Sequence, residues 1–491
     1  MAITLLTRRQ FLATSGVAVL AAGDKPLALE NDALSFRLAV NAGMITVRNF
    51  RNRLGDGEII SLPTQEFRLE FDDGSTVSSG DLEGRVVSSG NAALELLFSR
   101  PGSLEVRVRY SLTPPAHYLR KQITVRDPRD GRRRLLRAEL ENWRGVPRTW
   151  KSMRADRFPF GSHPIHGDDL WAGVEFVAAF NDYNADGFAL RSRPGGVVVG
   201  ADWLDLRSTV VGVARPGRVR DAFLRYIEDI RLAPPRLVAC YNSWWTLPKV
   251  VTQQDNLELI NQLKTALHDQ HGVFFDLITT DMGWSNPRSI WEIDPSILPN
   301  GFADIRAVVE SAGGRLGLWM SPSEVYPPVC DYEWAEKQGY IVLRRDPAAD
   351  GRLQPGFAKP GLSLADPRYR EETKRQLQKL IRENGLAHIK YDGFWAIEQR
   401  PHHDLLGGED SVEPLAAHSL ELLQASKEAN PDLVTEPTYL NSIASYISPW
   451  ILKYSDTVWA NGVDCVVGVN PAPDYRESHT NAREFVIFQS L

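Results

Sequence analysis

Acidic residues, one lysine and several tryptophans recur just behind short apolar runs in the second half of this 491-residue chain. The runs end in Asn242-Ser243-Trp244-Trp245, Asp281-Met282-Gly283-Trp284, Trp319-Met320-Ser321-Pro322, Lys390-Tyr391-Asp392-Gly393-Phe394-Trp395, Thr435-Glu436-Pro437-Thr438 and Tyr454-Ser455-Asp456-Thr457-Val458-Trp459. Gathered on one face, they would make a polar pocket with flat aromatic walls. Such walls suit sugar rings, and paired carboxyl groups carry out glycoside chemistry. Lys390 stands two places before Asp392, so in an extended strand both side chains share a face. A lysine there lowers a carboxyl pKa and keeps the group ionised as a nucleophile. Plainer roles exist for each residue: a strand-end Asp often caps the next helix, and the tryptophans suit a core.

The elements that must position these residues alternate in period. Leu237–Tyr241, Phe274–Thr279, Arg315–Met320, His388–Tyr391 and Leu433–Thr435 read as apolar strands, with Ile451–Tyr454 leading a sixth. Between them lie amphipathic helices. One follows Thr252, one passes through Ile305 and Val309 to Gly313-Gly314, and one runs from Asp366-Pro367 to Asn384-Gly385. Asp-Pro is an N-cap with a proline at the first helical position, and glycine closes helices. Repeated βα units with nearly unbroken apolar strands imply a parallel sheet, here a (β/α) barrel of the TIM type. Active sites of such barrels lie at the C-terminal ends of the strands. Six strands are legible where a closed barrel has eight. Either two strands hide in segments of weaker pattern, or, as favoured here, the barrel is incomplete at its C-terminus in a piece of a longer product.

Residues 28–215 have period two instead, as in Phe67–Phe71 before the turn Asp72-Asp73-Gly74, and in Leu104–Tyr110. This is the pattern of an antiparallel β-sandwich with wet outer faces. Arg132-Arg133-Arg134 reads as a solvated hairpin. A helix over 219–230 and then Pro234-Pro235 mark the boundary, giving a sandwich at 28–232 and a barrel at 233–491. Thr7-Arg8-Arg9-Gln10-Phe11-Leu12 and the short, small-residue stretch after it read as a twin-arginine export signal over residues 1–27. This implies a periplasmic or extracellular destination. The net charge of −6 offers no footprint for nucleic acid, and no apolar run is long enough to span a bilayer. Cys240, Cys330 and Cys465 are too far apart in sequence for a disulfide framework or a zinc motif.

Taken in order, Asn242-Ser243-Trp244, Asp281-Met282-Gly283-Trp284, Gly317–Pro322, Lys390-Tyr391-Asp392 and Ser448-Pro449 through Asp456 resemble the signatures of glycoside hydrolase family 36, the α-galactosidases of clan D. The resemblance covers residues 236–465, and the β-rich first half fits that family's supersandwich. It implies a retaining exo-acting α-glycosidase, with Asp392 as nucleophile and Asp456 as acid/base. Trp244, Asp281, Trp284, Trp319, Lys390, Glu436 and Trp459 would line the substrate site. It implies a small carbohydrate or glycoconjugate substrate, with no cofactor and no metal, and leaves a homo-oligomer open. Two departures bear on the sugar. The family has two adjacent Asp where this chain has Asp281-Met282. Its Cys- and Gly-rich loop after strand five is here Thr435-Glu436-Pro437-Thr438. Competing readings are a lyase or aldolase using Lys390 as a Schiff base, and a non-catalytic sugar-binding homologue. His402-His403-Asp404 with Glu409 and Asp410 matches no metal-binding spacing.

Overall fold

The computed structural model describes residues 27–152, 163–234, 236–247, 252–326, 329–344, 360–394, 397–437 and 448–457. Its first half is antiparallel. Leu27–Glu30, Leu34–Asn41, Met44–Asn52 and Ile59–Ser61 form a four-stranded sheet. An eight-stranded sheet has Tyr118–Arg126 and Glu105–Ser111 near its centre, and a six-stranded sheet is built around Arg133–Asn142. Burial alternates along Tyr118–Arg126 residue by residue, as the period of two requires. Arg133 and Arg134 open a strand, and Arg134 Nε donates to the Gly196 carbonyl. The expected leader lies outside the described residues, except Leu27, which opens the first strand.

Between the sheets lies a cluster that hydropathy does not reveal. Arg48 and Lys121 are buried with Glu66 and Glu141. Lys121 Nζ is 2.9 Å from Glu66 and 3.5 Å from Glu141, and Arg48 Nε is 3.3 Å from Glu66. Arg48 also pairs with Glu141, and the Tyr110 hydroxyl donates to Glu66. Burial raises the Glu66 pKa, but Arg48 and Lys121 overcome this and hold it below the ordinary range. Removing one partner of such a set strands a buried charge. Glu66→Gln should therefore lower stability by about 3–5 kcal/mol. A urea melt that moves by less than a third of this would show that the cluster is hydrated rather than dry.

Strand Thr209–Val213 and helix Val219–Ile230 end the antiparallel part. Phe223 and Tyr226 of that helix pack edge-on against Trp450. Gly173 permits this contact, because a Cβ there would lie 2.5 Å from the Trp450 ring. Glu413 ties the two halves together. It accepts from the Ser192 hydroxyl at 2.8 Å, the Arg193 amide at 2.7 Å and Arg207 Nε at 2.9 Å.

The second half is a five-stranded parallel sheet in sequence order: Cys240–Asn242, Leu277–Thr280, Arg315–Met320, His388–Tyr391 and Val434–Pro437. These are barrel strands one to five. Helices Gln253–Leu263, Ala303–Ser311, Pro367–Asn384 and Val412–Ala429 accompany them, making a partial TIM-like barrel. Local chemistry sets the helix ends. Thr252 and Asp255 form a capping box, the Asp366 carboxylate caps Pro367–Asn384, and Gly385 closes that helix at φ 61°. Strands one and two start three residues later than the sequence pattern suggests. Ile451–Tyr454, expected to lead strand six, instead fall in and just after a 3-10 turn, Pro449–Lys453, with the Ser448 hydroxyl accepting from the Trp450 amide and Pro449 at its start. After this turn the chain comes alongside strand five: the Tyr454 carbonyl accepts from the Thr435 hydroxyl, and the Asp456 and Thr457 amides both donate to the Thr435 carbonyl.

Candidate active site

Pairing register decides which side chains enter the barrel. Thr279 is level with Gly317, Gly317 with His388, and Lys390 with Glu436. Alternation then points Thr279 and Asp281, Gly317 and Trp319, and His388, Lys390 and Asp392 inward. Tyr391 faces outward and reaches Ser426 on the surrounding helix.

The lower inward layer is polar. The Thr279 hydroxyl and His388 Nδ1 are 2.6 Å apart, and Cys240 Sγ is 3.6 Å from the same hydroxyl. Gly317 makes room for this contact, since a Cβ there would sit 2.7 Å from both Thr279 Oγ1 and His388 Cβ. Burial alone would lower the His388 pKa. Cys240 and Glu436 outweigh it and raise it to about 10. Glu436 is 3.5 Å from His388 Nε2 and accepts from Thr457 Oγ1 at 3.4 Å. It therefore points into the barrel.

The layer above holds Asp281 and Lys390. Lys390 Nζ donates to Asp281 Oδ2 at 3.4 Å, and the Met282 amide donates to Oδ1 at 2.9 Å. The Ser243 hydroxyl supports this turn by accepting from the Asp281 amide. Lys390 is 4% exposed. Burial would lower its pKa, but Asp281, then Asp392 and Glu436, raise it. At the top, Asp392 Oδ2 accepts from Trp319 Nε1 at 3.3 Å and Oδ1 accepts from the Tyr326 hydroxyl at 3.0 Å. Its own amide donates to the Met320 carbonyl, continuing the ladder past the end of strand four.

The structure thus brings Asp281, Trp319, Lys390, Glu436 and Asp392 together. Trp244 is half-buried in the turn Ser243–Trp245 that follows strand one. Two expected residues lie elsewhere. Trp284 is core: it packs on Trp291 and Phe302, and its indole nitrogen donates to the Trp319 carbonyl. It braces Trp319 from behind. Asp456 sits at the opposite end of the strands. Its Oδ2 accepts from Lys427 Nζ at 2.6 Å and from the Thr435 amide at 3.0 Å, and Arg236 lies 3.9 Å from Oδ1. Strand five begins at Val434, whereas Asp392 lies beyond the end of strand four. Three to four residues along a strand is ~10–13 Å, too far for the ~5–5.5 Å separation of a retaining pair. Trp459 lies outside the described residues.

Sequence reading missed Tyr326. The strand-end motif was read only as far as Pro322, and Tyr326 comes four residues later in the loop. Its signal is a hydroxylated aromatic in a loop at the C-terminal end of a barrel strand. The histidine-acid stretch does not converge. His402 meets Glu398 and the Ser363 hydroxyl, Glu409 pairs with Arg193, and the Asp404 carbonyl accepts from Arg134. Among the described residues no cluster of three or more His, Cys, Asp or Glu could hold a metal ion. Nor is any described helix long and apolar enough to cross a membrane.

No family model and no curated protein matches the chain by sequence. Solved structures do match by shape. The family 36 α-galactosidase AgaB of Geobacillus stearothermophilus superposes with a TM-score of 0.63 at 13% identity, over 92% of this chain and 76% of that one. The α-galactosidase of Lactobacillus brevis gives a TM-score of 0.58 at 13% identity, over 89% and 72%. A variant of AgaA from G. stearothermophilus, in complex with raffinose, gives 0.62 at 13%, over 94% and 77%. An antiparallel β region, a partial parallel barrel and a polar cluster at the strand ends together give this chain the fold of the family 36 α-galactosidases.

Proposed function

We propose that the protein is a retaining, exo-acting α-glycosidase with Asp392 as its nucleophile. The observation that carries this reading is the setting of Asp392. It stands at the C-terminal end of a barrel strand, accepts from Trp319 and Tyr326, and lies above the Lys390–Asp281 pair. Two donors and a nearby cation favour its ionised form. In the first step a carboxylate oxygen of Asp392 attacks the anomeric carbon. The bond to the leaving oxygen breaks, and an acid protonates that oxygen. In the second step water, deprotonated by the same group, displaces Asp392 and restores the carboxylate. Asp456 is engaged at the far end, so the acid is sought after Thr457, where Asp464 is the first carboxylate in the sequence.

The state of Lys390 weighs against a Schiff base. That chemistry needs a neutral amine with a lowered pKa, whereas Lys390 is ion-paired and its pKa is raised. The likeness to α-galactosidases, one of them seen with raffinose, supports an α-galactoside as the first substrate to try. Met282 offers no side-chain hydrogen bond beside Asp281, while Glu436 brings a carboxylate in from strand five. We therefore propose that galactose preference is weakened or changed. Export by the twin-arginine route is proposed on residues 1–27 alone.

The test is a screen of the full-length protein against nitrophenyl α-glycosides, followed by a mechanism-based glycosyl reagent and peptide mass spectrometry. The expected result is turnover of an α-glycoside and a covalent adduct on Asp392. Turnover with the adduct on another carboxylate would reassign the nucleophile. Absence of turnover across the panel would favour the sugar-binding reading.

A further inference from the structure

The loop after strand three contains a second buried acid that the reaction above does not use. Glu324 is 1% exposed and stands at φ 48°, in the left-handed region that few non-glycine residues occupy. Such a conformation persists where its surroundings enforce it. Here they do so from several sides. The Glu324 amide donates to the Ser321 carbonyl at 2.7 Å, and the Tyr332 hydroxyl donates to the Glu324 carbonyl at 2.6 Å. Tyr369, on helix Pro367–Asn384, points its hydroxyl at Glu324 Oε1 (3.1 Å) and at the Pro322 carbonyl (2.7 Å). The Ser323 amide donates to the Gly393 carbonyl, joining the turn to the residue after Asp392. Gly393 is itself at φ 78°. A Cβ there would lie 2.4 Å from Val325 and 2.9 Å from the Tyr326 ring, so only glycine lets the turn lie this close.

Two residues beyond Glu324 is Tyr326, whose hydroxyl holds Asp392. We propose that Glu324 is a positioning residue: by fixing the turn Ser321–Tyr326 it keeps the Tyr326 hydroxyl on Asp392. This rests on Asp392 being the nucleophile. The titratable groups facing Glu324 are Tyr369, Tyr332 and Cys330, with Asp331 beside the last, and none carries a positive charge. Among the described residues Glu324 forms no ion pair. Burial raises its carboxyl pKa to about 8, so the group is neutral where the turn is well packed. Ionisation above that pH places an unpaired charge in a dry site and loosens the turn.

Three variants of the full-length protein test this. Tyr326→Phe should lower kcat on an activated α-glycoside about 10- to 100-fold with little change in KM. Glu324→Leu should give a similar loss, and the double variant should lose no more than either alone, because one chain of contacts is cut twice. Glu324→Gln, a neutral isostere, should match the parent below pH 7 and keep its activity above pH 8, where the parent declines. A readout independent of turnover comes from 19F NMR of protein labelled with 3-fluorotyrosine, with the Tyr326 signal assigned by its absence in Tyr326→Phe. That signal should move in Glu324→Leu. Between pH 6 and 9 it should also differ between parent and Glu324→Gln. A signal indifferent to both changes, or losses that multiply in the double variant, would overturn the proposal. A signal that responds in a protein that turns over no glycoside would uphold the mechanical link and overturn the assignment of Asp392.

Discussion

Asp392→Asn should reduce turnover of an activated α-glycoside by ~10³-fold or more, whereas Asp456→Asn should leave kcat of the folded protein within about three-fold. The two residues share a type and were read from similar strand-end motifs, yet the structure sets them in different surroundings. Asp392 meets two donors beyond the C-terminal end of strand four. Asp456 is locked to Lys427, which also donates to the Leu433 carbonyl, and to the backbone of strand five. Burial pulls the Lys427 pKa below the ordinary lysine range even with Asp456 beside it. Removing the carboxylate leaves that ammonium with less compensation, so Asp456→Asn should cost about 3–5 kcal/mol in stability. Steady-state kinetics and urea melts on both variants separate the cases. Equal, large losses of kcat in two stably folded variants would return Asp456 to the reaction. Asp464→Asn adds a third arm. Loss on substrates with poor leaving groups, with activated ones spared, is the pattern of a missing acid.

The division between legible and hidden follows from range. The parallel sheet and its helices were legible because apolar runs, capping residues and closing glycines are local signals, as Asp366-Pro367 and Asn384-Gly385 show. Lys390 and Asp392 were legible together because residues two apart on a strand share a face. Asp456 was not. Its place depends on where the chain rejoins the sheet, and the turn at Pro449–Lys453 delays that by several residues. Trp284 was misread for a related reason: a tryptophan after a strand can face the pocket or the helices behind it, and only packing on Trp291 and Phe302 decides. The buried set of Arg48, Glu66, Lys121 and Glu141 was hidden for another. Arg48, Lys121 and Glu141 stand on three separate strands and Glu66 in the loop before a fourth, each looking like an ordinary surface charge in the sequence. Glu324 combines both difficulties, since its burial and its left-handed backbone come from Tyr369 and Tyr332, far from it in the pattern of strands.

Lys390→Met should cost the protein about 3–5 kcal/mol and move the acid limb of its pH–rate profile upward. Lys390 is the cation that Asp281, Asp392 and Glu436 share. Methionine fills similar space but leaves these carboxylates facing one another in a buried site, where like charges favour the protonated form. Asp392 would then need a higher pH to become a nucleophile, so kcat/KM should fall most at acid pH and recover in part towards pH 8. The sign of the stability change with pH can also be worked out. The folded-state pKa of Lys390 is raised, so the stability it contributes is fully present below the unfolded-state value near 10.5 and is lost only as pH rises through the folded value. The stability gap between parent and variant should therefore be smallest at acid pH, where the variant's carboxylates are protonated, widen as they ionise towards pH 8, and close only in strong alkali. Lys390→Arg keeps the charge but brings a planar fork where an ammonium fits, and it should recover stability better than rate. A Lys390→Met protein with an unmoved acid limb would mean that Lys390 is not what keeps Asp392 ionised.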